Sequence, residues 1–345
     1  MMPATAARTL CGLTVAVVLS TACGGSATPS GAAQQPVTVN LAQSIVALPN
    51  AGVYVAIQNG YFKQQNLNVN LSTLQSGATT TQAMASRSVD AVASASLDVA
   101  AAAGAGVPFE AFVTESGVTL EVCASSRFAA SKGLTPSSSL SEVMAAFKGQ
   151  TMGITGPNSA PDLALRYLLP RYGHLKPDAD VKITSLGSVP AELTALGRGQ
   201  IAGFVQSPPG CEEAVQAGTG VSLVRPQSVP EFRNAPLWVL YSRKDWINSH
   251  RDVVSRLARA VVKGNQFVHQ HPQQAIQILH RYYFQNLDQG ILQDAFTNIQ
   301  LPLIPVDGKA TAAGWKKISD MEVASGSLKQ GLNVKEGGVW TNAYL

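Results

Sequence analysis

Residues 150–169 have the sequence QTMGITGPNSAPDLALRYLL, which places a short apolar strand, a turn rich in small residues and a helix in immediate succession. The strand is predicted over Gln150–Ile154, the turn over Thr155–Pro161 and the helix over Asp162–Leu169. In open α/β sheets, ligands bind outside the carboxyl ends of the strands, where this turn lies. The stretch therefore predicts both a fold class and the position of a binding site.

The same succession extends in both directions from this stretch. Strand, helix, strand, helix and strand follow one another over residues 37–113 and again over residues 150–205. Such alternation is typical of α/β domains with mostly parallel sheets. The first copy has a turn of its own, Ser76–Thr79, after a predicted strand. Two such units facing each other would enclose a cleft.

The composition indicates a folded chain and excludes several classes of protein. A length of 345 residues suggests roughly two domains. With 46% hydrophobic and only 13% charged residues, the chain is not intrinsically disordered. The net charge of +4 is spread without any run of like charges, so no nucleic-acid partner is indicated. The longest apolar run, Leu10–Leu19, is shorter than the ~20 residues of a membrane-spanning helix.

The first 36 residues are typical of an exported lipoprotein. Arg8 precedes the apolar run, and Leu19–Cys23 resembles a bacterial lipobox, although Ser20 replaces the usual aliphatic residue. We expect a signal peptide over residues 1–22, and a lipidated Cys23 with a flexible Gly/Ser/Pro-rich tether over residues 23–36. The chain would then be anchored to the outer face of a bacterial cell membrane, in the periplasm of a Gram-negative cell. Ordinary cleavage after an alanine, with Cys23 incidental, is the alternative.

Cys123 and Cys211 are the cysteines of the predicted folded part. An even pair in an exported protein permits a disulfide. Two separate buried thiols are the alternative. Since no Cys-x-x-Cys motif is present, neither a zinc site nor a redox site is indicated.

Candidate ligand contacts lie at the predicted strand ends and helix starts. The helix starts near Gly77 and Ser159 would direct free N–H groups and the positive end of a helix dipole at an anion or a polar head group. Serine, threonine or asparagine there could instead simply cap the helices. Glu115 would select a cation or a hydrogen-bond donor, and the amide of Gln206 would recognise both donors and acceptors. The complete set is Ser44, Leu48, Asn50, Gly77, Ala78, Thr79, Thr80, Ser94, Ser96, Glu115, Asn158, Ser159, Ala160, Ser188, Gln206 and Ser207.

Sequence motifs of catalysis are missing. The chain has no Gly-x-Ser-x-Gly elbow, no His-Glu-x-x-His and no phosphate-binding lysine motif. We therefore predict a protein that is not an enzyme and that holds no cofactor and no metal. The named loops contain no Arg or Lys, which favours a neutral or zwitterionic ligand. The aromatic residues Tyr54, Phe62 and Trp238 are assigned to the core.

Six short motifs occur in an order that resembles one protein family. They are Leu48–Phe62 with its Gly-Tyr-Phe end, Leu67–Val69 with Asn66 in place of the usual Gly, Ala83–Ala91, Phe147–Ile154, Gly199–Gly203 with Ala202 and Gly203 in place of the usual Asp-Ala, and His271–Ala275. Together they resemble the substrate-binding proteins of ABC importers, in the branch of sulfonate, nitrate, taurine and thiamine-precursor binders, over residues 37–300.

The resemblance implies a two-lobe, type 2 periplasmic-binding-protein fold. Each lobe would hold a mostly parallel sheet flanked by helices, with residues 37–120 and 235–345 in lobe 1 and residues 121–234 in lobe 2. It further implies a monomer that closes around a small polar molecule and delivers it to an ABC permease and its ATPase. A sensory lipoprotein that feeds a membrane kinase, or an adhesion lipoprotein, would have the same fold.

Overall fold

In the computed structural model, which describes residues 35–345, the strands form two sheets of five. The predicted signal peptide over residues 1–22, Cys23 and most of the tether lie outside the described residues. The part from Pro36 to Leu345 is one compact unit. The expected α/β architecture, with two mostly parallel sheets flanked by helices, is confirmed.

The first sheet has the strand order β2-β1-β3-β10-β4. Strand β1 pairs in parallel with β2 and β3, whereas β10 is antiparallel to β3 and β4. The strands are β1 (Val37–Gln43), β2 (Leu67–Thr73), β3 (Ala91–Ala95), β4 (Phe109–Gly117) and β10 (Pro236–Arg243).

The second sheet repeats this plan with the order β7-β6-β8-β5-β9. Strand β6 is parallel to β7 and β8, and β5 is the antiparallel strand between β8 and β9. The strands are β5 (Glu121–Ser125), β6 (Thr151–Ile154), β7 (Lys182–Ser185), β8 (Gly203–Gln206) and β9 (Gly220–Val224). The chain crosses from the first sheet to the second after β4 and returns to the first before β10. The strands that follow these crossings, β5 and β10, each occupy the fourth position in the strand order of their sheet.

Helices connect the strands and cover both sheets. Before β5 they are α1 (Ala51–Gln58), α2 (Tyr61–Gln64), α3 (Gly77–Ala85) and α4 (Ser96–Gly104). Between β5 and β9 they are α5 (Ser126–Lys132), α6 (Leu140–Ala146), α7 (Ala160–Gly173), α8 (Val189–Gly197) and α9 (Gly210–Gln216). After β10 follow α10 (Lys244–Ser249), α11 (Arg251–Gln270), α12 (Pro272–Tyr282), α13 (Gln289–Ala295) and α14 (Ala312–Ala324). Within residues 35–345, none of these helices combines the length and apolarity needed to cross a bilayer.

The long helix α11 shows how the core forms. Its buried residues Val254, Leu257 and Val261 recur at helical spacing and face the first sheet. Its backbone touches that of α1 at Gly264, where a Cβ atom would overlap the carbonyl of Gly52. Glycine at this position lets the two helices pack backbone to backbone.

A disulfide joins Cys123 on β5 to Cys211 on α9, with the two Cα atoms 5.4 Å apart. Both residues belong to a small apolar cluster with Ala195, Leu196 and Phe204. The bond ties the antiparallel strand of the second sheet to the helix that follows β8.

The structure contains elements that the sequence analysis does not predict. Strand β9 and helix α5 are absent from the prediction. The sequence pattern predicts a last helix over Lys309–Ala324, whereas α14 begins at Ala312. Thr311 explains the later start, because its hydroxyl accepts from the N–H of Gly314 and caps the helix. The lobe limits of 37–120 with 235–345 and 121–234 stay a prediction. The part of the chain built on the first sheet is called the first lobe, and the part built on the second sheet is called the second lobe.

Candidate ligand-binding cleft

A small cavity lies between the two sheets, at the carboxyl ends of β1, β3, β6 and β8. Its volume is about 30 Å³, which is room for about two water molecules. The two lobes therefore meet closely in this conformation, and a larger molecule could enter only if they separated. The cavity lies where the strand-end argument places a binding site.

Seven of the sixteen candidate residues line this cavity. They are Ser44, Gly77, Ser94, Ser159, Ala160, Gln206 and Ser207. They come from both lobes, the first three from the first lobe and the last four from the second. The remaining candidates lie elsewhere, and the structure gives a reason in most cases.

Leu48 and Asn50 belong to the framework of the first lobe. The Leu48 side chain is buried in an apolar cluster, and its N–H donates to the carbonyl of Pro208 over 2.9 Å. The Asn50 amide donates to Gln43 Oε1 over 2.9 Å, an oxygen that also accepts from the Tyr54 hydroxyl. These contacts hold the loop after β1 in place.

The start of α3 is capped by its own side chains. The Ser76 hydroxyl accepts from the N–H of Thr79 over 3.2 Å, and the Thr79 hydroxyl donates to the carbonyls of Leu74 and Ser76. Ala78 and Thr79 are exposed. Thr80 is buried, and its hydroxyl donates to the carbonyl of Gly77 over 2.7 Å. Capping is thus the role that the structure gives to Ser76 and Thr79.

Four further candidates also lie outside the cavity lining. The Ser96 hydroxyl donates to the carbonyl of Pro236 over 2.7 Å. Glu115 is buried within β4 without a hydrogen-bond partner among the described residues, and burial raises the pKa of its carboxyl well above the usual range. Asn158 is exposed in the left-handed conformation. Ser188 precedes α8 and is half-buried.

Two buried hydroxyls in the cavity lining make no hydrogen bond to any residue of the range 35–345. Ser94 Oγ comes from β3 in the first lobe, and Ser159 Oγ comes from the start of α7 in the second. The two residues are 0% and 2% exposed. Ser159 occupies the cap position of α7, yet its side chain caps nothing. Ser94 Oγ lies near the Asp98 carboxyl and partly offsets the rise in pKa that burial causes there, but it makes no hydrogen bond of normal geometry. Because buried polar groups are normally hydrogen-bonded, both hydroxyls are available to a bound molecule.

Second-lobe side chains are held in position around the cavity. Gln206 Nε2 donates to Glu192 Oε2 over 2.8 Å, and burial raises the pKa of that Glu192 carboxyl to about 8. The Ser207 hydroxyl accepts from Thr119 over 2.8 Å and from the indole N–H of Trp238 over 3.3 Å. Trp238, assigned to the core from the sequence, is buried and also lines the cavity.

Asp98 is the cavity residue that the sequence analysis misses. It lies in the first turn of α4, is 3% exposed, and its Oδ2 accepts from the hydroxyls of Tyr241 and Thr80 over 3.3 and 3.4 Å. Burial raises the pKa of its carboxyl to about 6. An aspartate inside the apolar run Ser96–Ala103 was the available signal. The other unpredicted lining residues are Ile45, Ser76, Ala95, Leu120, Thr155 and Pro161.

No group of three or more His, Cys, Asp or Glu side chains is placed to hold a metal ion anywhere in residues 35–345. The lining offers hydroxyls, one amide, one carboxyl and an indole. Such a set can bind a small molecule by hydrogen bonds and ring contact.

Comparison with known proteins identifies relatives of this fold. The chain matches the NMT1-like family over residues 33–280. A protein from Bordetella bronchiseptica has a similar structure, with a TM-score of 0.73 and 19% identity over 89% of this chain and 95% of that one. The ligand-binding component of an ABC-type import system from Staphylococcus aureus, solved with zinc bound, has a TM-score of 0.68 and 15% identity over 83% of this chain and 91% of that one. The periplasmic aliphatic sulphonate-binding protein of Escherichia coli has a TM-score of 0.64 and 13% identity over 90% of this chain and 99% of that one. No curated protein matches the chain by sequence.

Proposed function

The chain belongs to the NMT1-like family, and we propose that it is the solute-binding receptor of an ABC import system. It captures a small polar molecule between its two lobes and delivers it to a membrane permease and its ATPase. Two similar structures support this role, since the Staphylococcus aureus protein is described as the ligand-binding component of an ABC-type import system and the Escherichia coli protein as a periplasmic aliphatic sulphonate-binding protein.

The observation that carries the proposal is the pair of free hydroxyls on Ser94 and Ser159. They come from opposite lobes, line one cavity and lack partners among the described residues. A molecule held by both would join the lobes and favour the closed conformation over the open one. Such hinge closure is a standard means by which a ligand shifts a two-state equilibrium.

Export and lipid anchoring are part of the same proposal. A receptor that serves a permease works at the outer face of the cell membrane. A lipidated Cys23 and the tether up to residue 36 would hold it there. Labelling of cells with a palmitate analogue tests this directly. The wild-type chain should take up the label, and Cys23→Ala should not. Equal labelling of both would contradict anchoring at Cys23.

The binding role is tested by a thermal-shift screen. Sulfonates, nitrate, taurine, amino acids, pyrimidines, alkyl and aryl amines and aromatic carboxylates are added to the purified chain. A ligand at one hundred times its Kd stabilises the folded state by about 2.7 kcal/mol. Mass spectrometry of the recovered ligand should show it unchanged, as expected of a receptor that does not catalyse.

Two serine variants show whether a stabilising compound occupies the cleft. Ser159→Ala removes a hydroxyl from the cavity lining, and Ser188→Ala removes one from the equivalent cap position of α8, outside the cavity. We expect at least a tenfold loss of affinity in the first variant and none in the second. No stabilisation by any compound class, or an equal loss in both variants, would contradict the receptor proposal.

A further inference from the structure

The positive ends of the helices that face the cavity are already occupied by carboxylates of the chain itself. Asp98 belongs to the first turn of α4 and also contacts the first turn of α3, because Thr80 donates to its Oδ2 and its Oδ1 lies against Gly77. One carboxylate thus faces two helix N-termini. A bound anion would have to share that region with it.

The second lobe repeats the arrangement at the start of α7. Asp162 Oδ2 accepts from the backbone N–H of Asn158 over 2.8 Å, and its Oδ1 pairs with Arg166 over 2.8 Å. Arg166 is held in turn by Asp178 over 2.6 Å. The N–H of Asn158 just before this helix and the nearby cation, both of which would attract an anion, are therefore already engaged by carboxylates.

The remaining polar atoms of the lining include the Gln206 amide and several hydroxyls, which can accept hydrogen bonds as well as donate them. Gln206 donates one of its two amide N–H groups to Glu192, and no described residue donates to its Oε1. Among the cavity-lining residues of the described chain, Asp98 is the single ionisable carboxyl, and no lysine, arginine or histidine stands beside it. Carboxylate, amide and hydroxyl oxygens together match a head group that donates several hydrogen bonds.

An apolar chamber of about 20 Å³ adjoins the polar cavity, sharing Leu120 and Ala160 with it. Its other walls include Leu97, Leu163, Phe232 and Leu237. The chamber lies between the lobes, since Leu97 belongs to α4 and Leu163 to α7. When the lobes separate, the polar and apolar spaces open together, so a single molecule can fill both.

We infer, on the basis of the proposed function, that the cleft binds a primary amine attached to an apolar body and rejects sulfonate and nitrate. The ammonium group would lie between Asp98, Gln206 Oε1 and the hydroxyls of Ser94 and Ser159, and the apolar part would lie against Leu120. The ligand charge is thus opposite to that of the sulphonate named for the Escherichia coli protein.

The charge state of the cleft at neutral pH agrees with this assignment. Burial raises the pKa of Asp98 only to about 6, so its carboxyl is ionised at pH 7.5. The groups that face it are the hydroxyls of Tyr241 and Thr80, the nearby Ser94 and the carboxyl of Glu322 on α14. Because burial raises the pKa of Glu322 to about 8, its carboxyl is mainly neutral at pH 7 and Asp98 supplies the negative charge.

The test uses pairs of probes that share a body and differ in the head group. Benzylamine is compared with phenylmethanesulfonate and butylamine with butanesulfonate, with nitrate added alone, by calorimetric titration at pH 7.5. We expect each amine to bind at least tenfold more tightly than its sulfonate. Asp98→Asn should lose at least tenfold in amine affinity, whereas Asp245→Asn, which alters an exposed ion pair with Arg87, should not.

A second measurement does not depend on the variant folding. Amine affinity of the wild-type chain should fall as the pH is lowered from 7.5 to 5, because Asp98 becomes protonated. Tighter binding of the sulfonates, no binding of either amine, or pH-independent amine binding would overturn the inference. Sulfonate binding that Ser159→Ala weakens would overturn it and leave the receptor proposal intact, whereas failure of every compound class in the thermal-shift screen contradicts the receptor proposal itself.

Discussion

Gly77 lies so close to the carboxylate of Asp98 that a Cβ atom at position 77 would overlap Asp98 Oδ1. The two residues begin different helices, α3 and α4, which follow different strands of the first sheet. Their contact fixes the carboxylate at the cavity wall. The absence of a side chain at residue 77 is therefore a condition for the position of Asp98.

Gly77→Ala should displace the Asp98 carboxylate and strain the start of α3. Overpacking of a well-filled site costs about 1–3 kcal/mol, so we expect a loss of this size in the free energy of unfolding measured with urea. Gly197→Ala is the matched control, because a Cβ there would make only an ordinary contact, 3.5 Å from Thr219 Cγ2. Equal stability changes in the two variants would contradict the packing argument.

Ser94 and Ser96 are both fully buried, but only Ser96 has a hydrogen-bond partner. Ser96→Ala leaves the carbonyl of Pro236 without its donor and should destabilise the fold by about 1–2 kcal/mol. Ser94→Ala removes a hydroxyl that makes no hydrogen bond of normal geometry among the described residues, although it lies near the Asp98 carboxyl, so stability should change little. Melting temperatures of the two variants give the comparison. A clear loss of stability in Ser94→Ala would show that its hydroxyl is already satisfied.

The sequence predicts the fold well because its signals are local. Period-two apolar strands and small-residue turns identify β1, β6 and β8, together with the strand ends at which the cavity lies. Strand β9 escapes this reasoning, since it is an edge strand whose partner, β5, is about a hundred residues earlier in the chain. Pairing of this kind depends on the tertiary fold and leaves little local pattern.

The site is predicted less completely, for a physical reason. The rule that ligands bind at the carboxyl ends of strands identifies Ser94, Ser159 and Gln206. It cannot distinguish a side chain that lines the cavity from one that hydrogen-bonds within its own lobe. Asn50, in the segment after β1, is chosen by the same argument, yet its amide donates to Gln43. Asp98 is missed because its role depends on α3 packing against α4, which the sequence spacing does not indicate.

Loss of the Cys123–Cys211 disulfide should destabilise the protein substantially. The bond spans 88 residues of chain, and closing a loop of that length is worth about 4.6 kcal/mol in the chain-entropy model. We expect the melting temperature of the wild-type chain to fall on reduction with dithiothreitol. The double variant Cys123→Ala/Cys211→Ala should melt at a low temperature in either buffer. A melting temperature unaffected by reduction would contradict a stabilising role for the bond.

Stability should fall as the pH rises through the range in which Glu322 ionises. Below pH 4.5 its carboxyl is protonated in both the folded and the unfolded state, so it causes no penalty. Burial, with a smaller contribution from the nearby Asp98, raises its folded-state pKa from 4.5 to about 8. Between these values the unfolded chain releases the proton first, so the free energy of unfolding decreases with pH. One pKa unit corresponds to about 1.4 kcal/mol, and the whole shift therefore amounts to a few kcal/mol.

Glu322→Gln removes this ionisation, so urea unfolding between pH 5 and 9 should show a flatter pH profile and higher stability than the wild type at pH 9. Glu142→Gln is the contrasting control. The pKa of exposed Glu142 is lowered by its hydrogen bonds with Ser139 at the start of α6. Ionised Glu142 stabilises the folded state above the usual pKa of a glutamate, and this stabilisation is lost as the pH falls. The Glu142→Gln variant should therefore still lose stability as the pH rises from 5 to 9, as the wild type does. If Glu322→Gln kept the wild-type slope between pH 5 and 9, the decrease would have to come from the other buried carboxyls, Glu115 and Glu192 among them, whose pKa values burial also raises.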